Sequence, residues 1–277
     1  MRRRKTLQEL TIMDGFLFGA VMSDPENCRI LLERVLEIPI ARVEVIQEKS
    51  LVYHPEYKGI RLDVFAKDDN ENRFDVEVQI RNSPVVKRSR YYHSQMDMDM
   101  LLSGVSYKDL PDSYVIFICG YDPFSLGKYR YRIESHCREC PEIDYQDGIH
   151  TIILNNHGTN PEEVPKELVS FLEFTRKPLD ESEEKTEDDY ISMLQETIRE
   201  IKSSREMGER YMTFEEMLKE EREEGREEGR VEGRVEGRNS LLIQLVNDGV
   251  ITLEQGSKAI GISTDEFQQL ISDSAKL

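Results

Sequence analysis

Hydrophobic and polar residues alternate along two neighbouring segments in the first third of the chain. Residues 60–67 and 73–80 each follow a two-residue period, and the polar segment 68–72 separates them. A two-residue period is typical of β-strands, and a short polar connection favours a hairpin. The pattern therefore predicts an antiparallel pair of strands.

The alternation also predicts which side chains share a face. The second strand sets Arg73, Asp75, Glu77 and Gln79 on one face and Phe74, Val76, Val78 and Ile80 on the other. Asp63 lies on the polar face of the first strand, opposite its apolar face. Asp63 and Glu77 are therefore expected to reach one cation, with both side chains exposed at the sheet edge. Mg²⁺ takes one or two protein carboxylates, which makes this pair a candidate magnesium site. The same alternation is also typical of a half-solvated sheet without a site.

In the rest of the first 180 residues, one helix is predicted before this hairpin in the sequence and one after it. Ser23 or Asp24 can cap a helix that begins at Pro25, because proline suits the first turn. Pro84 begins a second long helix, which reaches Leu102. Further strands are predicted at 42–52, 114–119, 129–133 and 149–154. The order of helix, three strands, helix and further strands predicts an α/β fold.

The C-terminal part of the chain has a different character. Residues 181–217 have apolar positions at three- and four-residue steps, and residues 222–238 then repeat the pattern R-x-E-G with a glycine at every fourth position. Each glycine costs a helix up to about 1 kcal/mol relative to alanine. A flexible, partly helical linker is therefore favoured over a helix whose glycine stripe packs on a partner.

Three short helices are predicted in residues 239–277. The last 17 residues contain one base, Lys276, so contacts with a protein partner or a second copy of the chain are favoured over nucleic-acid reading. The sequence thus divides into a mixed domain at 1–180, an acidic helical stretch with the glycine-spaced linker at 181–238, and a small helical module at 239–277.

The charge of the chain is strongly negative, and it is unevenly distributed. Residues 181–238 carry 20 acidic and 11 basic side chains, which accounts for half of the net charge of −18. A phosphate-binding surface needs a local basic cluster rather than a favourable total. Such a cluster is present at Lys87, Arg88 and Arg90.

Other site classes and locations are less well supported by the sequence. His136, Cys137 and Cys140 have ligand-like spacing, but a structural zinc site generally needs four ligands, so a solvated turn is favoured. Residues 1–5 are followed by no apolar run, and the chain has no apolar stretch of membrane-spanning length. We therefore expect a cytoplasmic protein with no membrane partner.

The motif residues, taken in order, resemble a known family. Asp63, then Glu77-x-Gln79, then the basic and tyrosine-rich helix at 87–92 are similar to the Rpn family of recombination-promoting nucleases, also described as PD-(D/E)XK nuclease family transposases. Further segments agree in order and spacing: 13–18, 28–38, Gly104-x-x-Tyr107, 114–119 and 222–238. The third motif position is usually lysine in the superfamily and commonly glutamine in this branch, as here.

The resemblance implies a restriction-endonuclease-like core, a mixed sheet flanked by helices, with a C-terminal helical extension. It implies a metal-dependent DNA endonuclease acting in recombination or mobile-element activity, with Mg²⁺ as the cofactor and Mn²⁺ as a substitute. Asp63 and Glu77 would bind the metal, Gln79 would orient water or bind the developing oxyanion, and Lys87, Arg88 and Arg90 would hold DNA phosphates.

Two alternatives stay open in this family reading. A helix-borne acid that completes the site would be Asp14 or Glu33, and the sequence does not choose between them. The alternative function is a nuclease-like scaffold that no longer cuts and binds partners through its helical tail. The presence of Asp63 and Glu77 counts against that alternative.

Overall fold

The computed structural model describes residues 5–51, 60–177 and 185–274. The chain divides into two compact units, Met1–Tyr211 and Met212–Leu277. The strands are β1 (Val43–Leu51), β2 (Ile60–Asp68), β3 (Arg73–Gln79), β4 (Ser113–Cys119), β5 (Arg130–Ile133) and β6 (Ile149–Asn155). The helices are α1 (Gly15–Met22), α2 (Pro25–Leu36), α3 (Val85–Met100), α4 (Lys166–Arg176), α5 (Asp189–Ser203), α6 (Arg205–Asn247), α7 (Leu253–Ile260) and α8 (Thr264–Ser274).

A mixed sheet forms the centre of the first unit. Its strand order over the described residues is β1-β2-β3-β4-β6-β5. β1, β2 and β3 are antiparallel neighbours, β3 pairs with β4 in parallel, β4 pairs with β6 in parallel, and β5 is antiparallel to β6. The predicted hairpin and the predicted α/β class, a mixed sheet flanked by helices, are both confirmed.

Helix α3 connects β3 to its parallel neighbour β4 and packs against the sheet. The cluster beneath it is apolar because alternate residues of the strands meet one side of the helix. Its fully buried members include Phe65, Val85, Met96, Val115, Phe117, Cys119 and Ile153. This packing places the first turns of α3 next to the end of β3, where the polar motif residues lie.

The start of α2 follows from local sequence, as predicted. The side chain of Asp24 accepts hydrogen bonds from the backbone N–H groups of Glu26 and Asn27, at 2.8 and 3.1 Å, and Pro25 occupies the first helical position. Capping satisfies two of the donors that every helix start leaves open. Of the two predicted capping residues, Asp24 is therefore the one that acts.

Residues 185–211 pack into the first unit. Arg34 of α2 forms an ion pair with Asp188 at 2.7 Å, and the buried Tyr190 donates its hydroxyl hydrogen to the carbonyl oxygen of Asn27 at 2.8 Å. Leu194, one turn further along α5, is fully buried. This part of the acidic stretch thus has an apolar face that the first unit needs to complete its core.

The glycine-spaced segment is helical. Residues 222–238 lie inside α6, in place of the partly helical linker that the sequence favoured. In the second unit, α7 and α8 agree with two of the three short helices predicted there, and the first predicted helix is the end of the long helix α6. Phe267 of α8 is fully buried, and it packs beside Gly256 of α7.

No helix within the described ranges combines the length and the apolar composition needed to cross a bilayer.

The glycines of the second unit have opposite surroundings, which generates a matched pair of substitutions. A Cβ atom at Gly256 would lie 2.7 Å from the Phe267 ring, whereas at Gly233 no other described atom lies within 4 Å. We expect Gly256→Ala to destabilise the second unit by about 1–3 kcal/mol through overpacking. We expect Gly233→Ala to stabilise α6 by up to about 1 kcal/mol. Thermal unfolding followed by circular dichroism would measure both, and shifts in the same direction would contradict this packing.

Candidate active site

The hairpin brings Asp63 and Glu77 together. Asp75 pairs with Phe65 and Val76 with Val64 in the register of β2 and β3, and the next residues along the two strands are Glu77 and Asp63. The backbone N–H of Asp63 donates a hydrogen bond to Oε1 of Glu77, at 3.2 Å. The charge of Asp63 also acts on the Glu77 carboxyl, so two acids of adjacent strands lie close together, as the alternation predicts.

The pair is not at an exposed sheet edge, which corrects the sequence expectation. β3 is an internal strand, because β4 pairs with it on the side away from β2. Glu77 is 4% exposed and Asp75 is fully buried, while Asp63 and Gln79 are half-buried. A half-solvated sheet is therefore also wrong for this strand. Its polar face is covered as well as its apolar one.

Burial changes the ionisation of these acids. Burial, and next the negative charge of Asp63, raise the pKa of Glu77 to about 8, although the nearby Arg88 opposes this. Burial and then the charges of Glu77 and Asp63 raise the pKa of Asp75 well above its ordinary value. Neither carboxylate oxygen of Asp75 accepts a hydrogen bond within the part of the chain that the structure describes. Without a bound cation the cluster therefore favours protonated acids.

Asp75 is a site residue to which sequence reasoning assigned no role. The two-residue period placed it on the face of Glu77, and that was the available signal. Its burial depends on β4, whose Val115 lies beside it in the register. The sequence pattern of β3 contains no information about that neighbour.

Arg88 enters the site from α3, and it does not share the exposed position of Lys87 and Arg90. One terminal nitrogen, Nη2, donates to Oε2 of Glu77 and to the hydroxyl of Tyr92, both at 2.8 Å. The other, Nη1, donates to Oε1 of Gln79 at 2.5 Å and to Oγ of Ser83 at 3.2 Å. The three predicted DNA-binding bases are thus separated, since one contacts the acids and two face solvent.

Gln79 is held at both ends of its amide group. Its oxygen accepts the hydrogen bond from Arg88, and its nitrogen donates to the carbonyl oxygen of Arg81 at 2.9 Å. These two bonds fix the orientation of the amide. The motif Glu77-x-Gln79 is therefore joined to α3 through a single arginine.

The start of α1 lies against the site. A Cβ atom at Gly15, the first residue of α1, would be 3.8 Å from both carboxylate oxygens of Asp63. The preceding Asp14 binds Lys5 at 2.7 Å and the backbone N–H of Thr11 at 2.8 Å. Asp14 is one of the two helix acids that the sequence left open. Its neighbour in the sequence, Gly15, lies against Asp63.

Glu33, the other candidate helix acid, is engaged elsewhere. Its carboxylate pairs with Arg29 of the same helix at 2.7 Å and accepts a hydrogen bond from the backbone N–H of Ile40 at 2.9 Å. These contacts hold the turn after α2. They give Glu33 a structural role at the end of that helix.

The acids at β2 and β3 suit a hard divalent cation. Carboxylate oxygens are the ligands of Mg²⁺, and a cation between Asp63 and Glu77 would offset the effects of burial and of the Asp63 charge that raise the pKa of Glu77. Across the described ranges no three His, Cys, Asp or Glu side chains are arranged to hold a metal. If Asp63 and Glu77 bind the cation, water and substrate oxygens would supply the remaining ligands.

The segment with zinc-like spacing lies in the connection between β5 and β6. Cys137 and Cys140 are half-buried free thiols there, and His136 is exposed. This connection is mostly solvated, as a turn would be.

The raised pKa of Glu77 predicts a pH dependence of stability. Between about 4.5, its ordinary value, and about 8, the folded protein keeps a proton that the unfolded chain has lost, so stability falls as pH rises through this range. Glu77→Gln mimics the protonated acid. We therefore expect its free energy of unfolding to fall less than that of the wild type as pH rises through this range. Urea unfolding in EDTA from pH 5 to pH 9 measures it, and parallel profiles for the two proteins would contradict the raised pKa.

A comparison with known protein families identifies the family of this chain. The family described as 'PD-(D/E)XK nuclease family transposase' matches residues 12–226. These residues include both motif strands and α3. No curated protein and no solved structure matches the chain significantly. The matched segment covers most of the chain, so this protein belongs to the family of PD-(D/E)XK nuclease family transposases.

Proposed function

We propose that this protein is a Mg²⁺-dependent DNA endonuclease that cleaves phosphodiester bonds in recombination or mobile-element activity. The observation that carries the proposal is the meeting of Asp63 and Glu77 on adjacent strands, where their mutual repulsion and burial favour a bound cation. Membership in a nuclease family supports the same reaction.

The roles of the motif residues follow from the charges of the reaction. Asp63 and Glu77 would hold the metal through carboxylate oxygens. A divalent cation bound there supplies positive charge to the scissile phosphate and acidifies the attacking water. Gln79 is a neutral amide, and it would orient the water or donate a hydrogen bond to the developing oxyanion.

Lys87 and Arg90 would hold the DNA backbone. Both are exposed and stand three residues apart in the first turns of α3, so they share one side of the helix. Helix α3 begins six residues after Gln79, which places these bases close to the motif strand. They form a local phosphate-binding surface on an otherwise acidic chain.

The direct test is incubation of the purified full-length protein with supercoiled plasmid in Mg²⁺, Mn²⁺ or EDTA. We expect conversion to open circles with either metal and none in EDTA. Cleavage that persists in EDTA would contradict metal dependence. A protein that is folded but inert with both metals would favour the scaffold that no longer cuts.

The metal ligands are tested by isosteric substitutions. We expect Asp63→Asn and Glu77→Gln each to lower the nicking rate by roughly two orders of magnitude or more, because each removes a charged ligand. Calorimetric titration with Mn²⁺ should show weaker binding in both. Asp69→Asn, in the exposed turn between the strands, is the matched control. A folded variant that cleaves at the wild-type rate would remove that residue from the site.

The phosphate contacts are tested by Lys87→Gln combined with Arg90→Gln. We expect weaker binding to all DNA sequences alike and a salt dependence lower by about one unit of slope for each lost contact. Lys108→Gln removes an exposed base outside this surface and should leave the slope unchanged. An altered sequence preference with the wild-type slope would show that these side chains read bases.

A further inference from the structure

Arg88 forms an ion pair with Glu77 of the acid cluster, and its surroundings set it apart from Lys87 and Arg90 of the same helix. Burial and the charge of Asp63 raise the pKa of Glu77, and burial and the charges of Glu77 and Asp63 raise that of Asp75. The charge of Arg88 opposes both shifts. Gln79, the remaining polar residue of the motif, is neutral. A phosphodiester that enters beside Glu77 would therefore also meet the guanidinium of Arg88.

The guanidinium of Arg88 is held in one place by its contacts. Four hydrogen bonds engage both terminal nitrogens: to Glu77, Gln79, Ser83 and Tyr92. The rings of Phe117 and Tyr92 lie 5.2 and 5.3 Å from its central carbon. The side chain still keeps 28% of its surface exposed. A positive charge fixed before substrate binds needs no reorganisation during the reaction.

We propose that Arg88 supplies the positive charge that stabilises the reacting phosphodiester beside Glu77 and Gln79. This inference rests on the proposed endonuclease activity and assigns Arg88 to the chemical step, whereas Lys87 and Arg90 act in DNA binding. Negative charge grows on the phosphate as the bond to water forms. A fixed cation therefore stabilises the transition state more than it strengthens substrate binding.

A role in stability alone explains the arrangement less well. Replacement of a buried ion pair by apolar residues is often neutral for stability. The guanidinium also contacts both motif residues at once, at 2.8 Å from Glu77 and 2.5 Å from Gln79. A lysine at position 79 would extend toward the same place. The charge can therefore be moved from α3 to β3 by two substitutions.

The experiment compares full-length Arg88→Met, Arg88→Lys and the double variant Arg88→Met with Gln79→Lys, and uses Lys108→Met as a control for the loss of one base. Steady-state nicking with Mg²⁺ separates kcat from KM, and calorimetry with Mn²⁺ alone measures metal binding. Circular dichroism checks the fold of each variant. Arg88→Lys keeps a charge, so it serves if the methionine variant does not fold.

We expect Arg88→Met to lower kcat by roughly a hundredfold with little change in KM, as removal of a transition-state donor does. Arg88→Lys should retain part of the rate, and the double variant should exceed Arg88→Met by about tenfold or more. Binding of Mn²⁺ by Arg88→Met should be undiminished, because the guanidinium competes for Oε2 of Glu77. Lys108→Met should match the wild type.

Three results would overturn the inference while the wild type still cleaves. A raised KM with unchanged kcat would make Arg88 a backbone contact like its neighbours. A double variant that folds and binds Mn²⁺ but is no faster than Arg88→Met would show that charge is not what Arg88 supplies. Weaker Mn²⁺ binding by Arg88→Met would make it a support for Glu77. An inert wild type overturns the endonuclease proposal and this inference together.

Discussion

The burial of acidic side chains on β3 is the constraint on which the site depends. Asp75 and Glu77 are covered because β3 has a strand on each side and α3 over its polar face. A buried carboxylate is costly unless it is protonated, paired or bound to a cation. The ion pair between Arg88 and Glu77 offsets part of this cost, at 2.8 Å. A cation bound beside Asp63 and Glu77, as proposed, would offset more of it.

The fold concentrates these groups by its connections. The hairpin of β2 and β3 brings Asp63 to Glu77, and the crossover through α3 returns the chain to β4 while it places Arg88 over the motif. Each element thus has a packing role and contributes at least one polar group to the site. A substitution in the apolar cluster under α3, for example at Met96 or Phe117, would therefore act on the site through the position of the helix.

The two units differ in how their helices are stabilised. In the first, α5 is tied to α2 by Arg34–Asp188 and by the buried Tyr190, so a segment with acidic composition completes an apolar core. In the second, Phe267 is the buried anchor of α7 and α8. The glycine-spaced turns of α6 have open space beside each glycine among the described atoms, and their helical form there rests on backbone hydrogen bonds and on charged side chains.

The sequence by itself determined the features that depend on local geometry. A two-residue period sets which side chains share a strand face, so the hairpin and the proximity of Asp63 to Glu77 could be predicted, as could a cap of α2 at Ser23 or Asp24. Only the tertiary structure decided that β4 lies beside β3, that Asp75 is buried without a partner among the described residues, and that Arg88 binds Glu77. These features join residues that are distant in the chain, and they depend on how α3 docks against the sheet. Local periodicity contains no information about that docking, because a strand with the same alternation can stand at an edge or at the centre of a sheet.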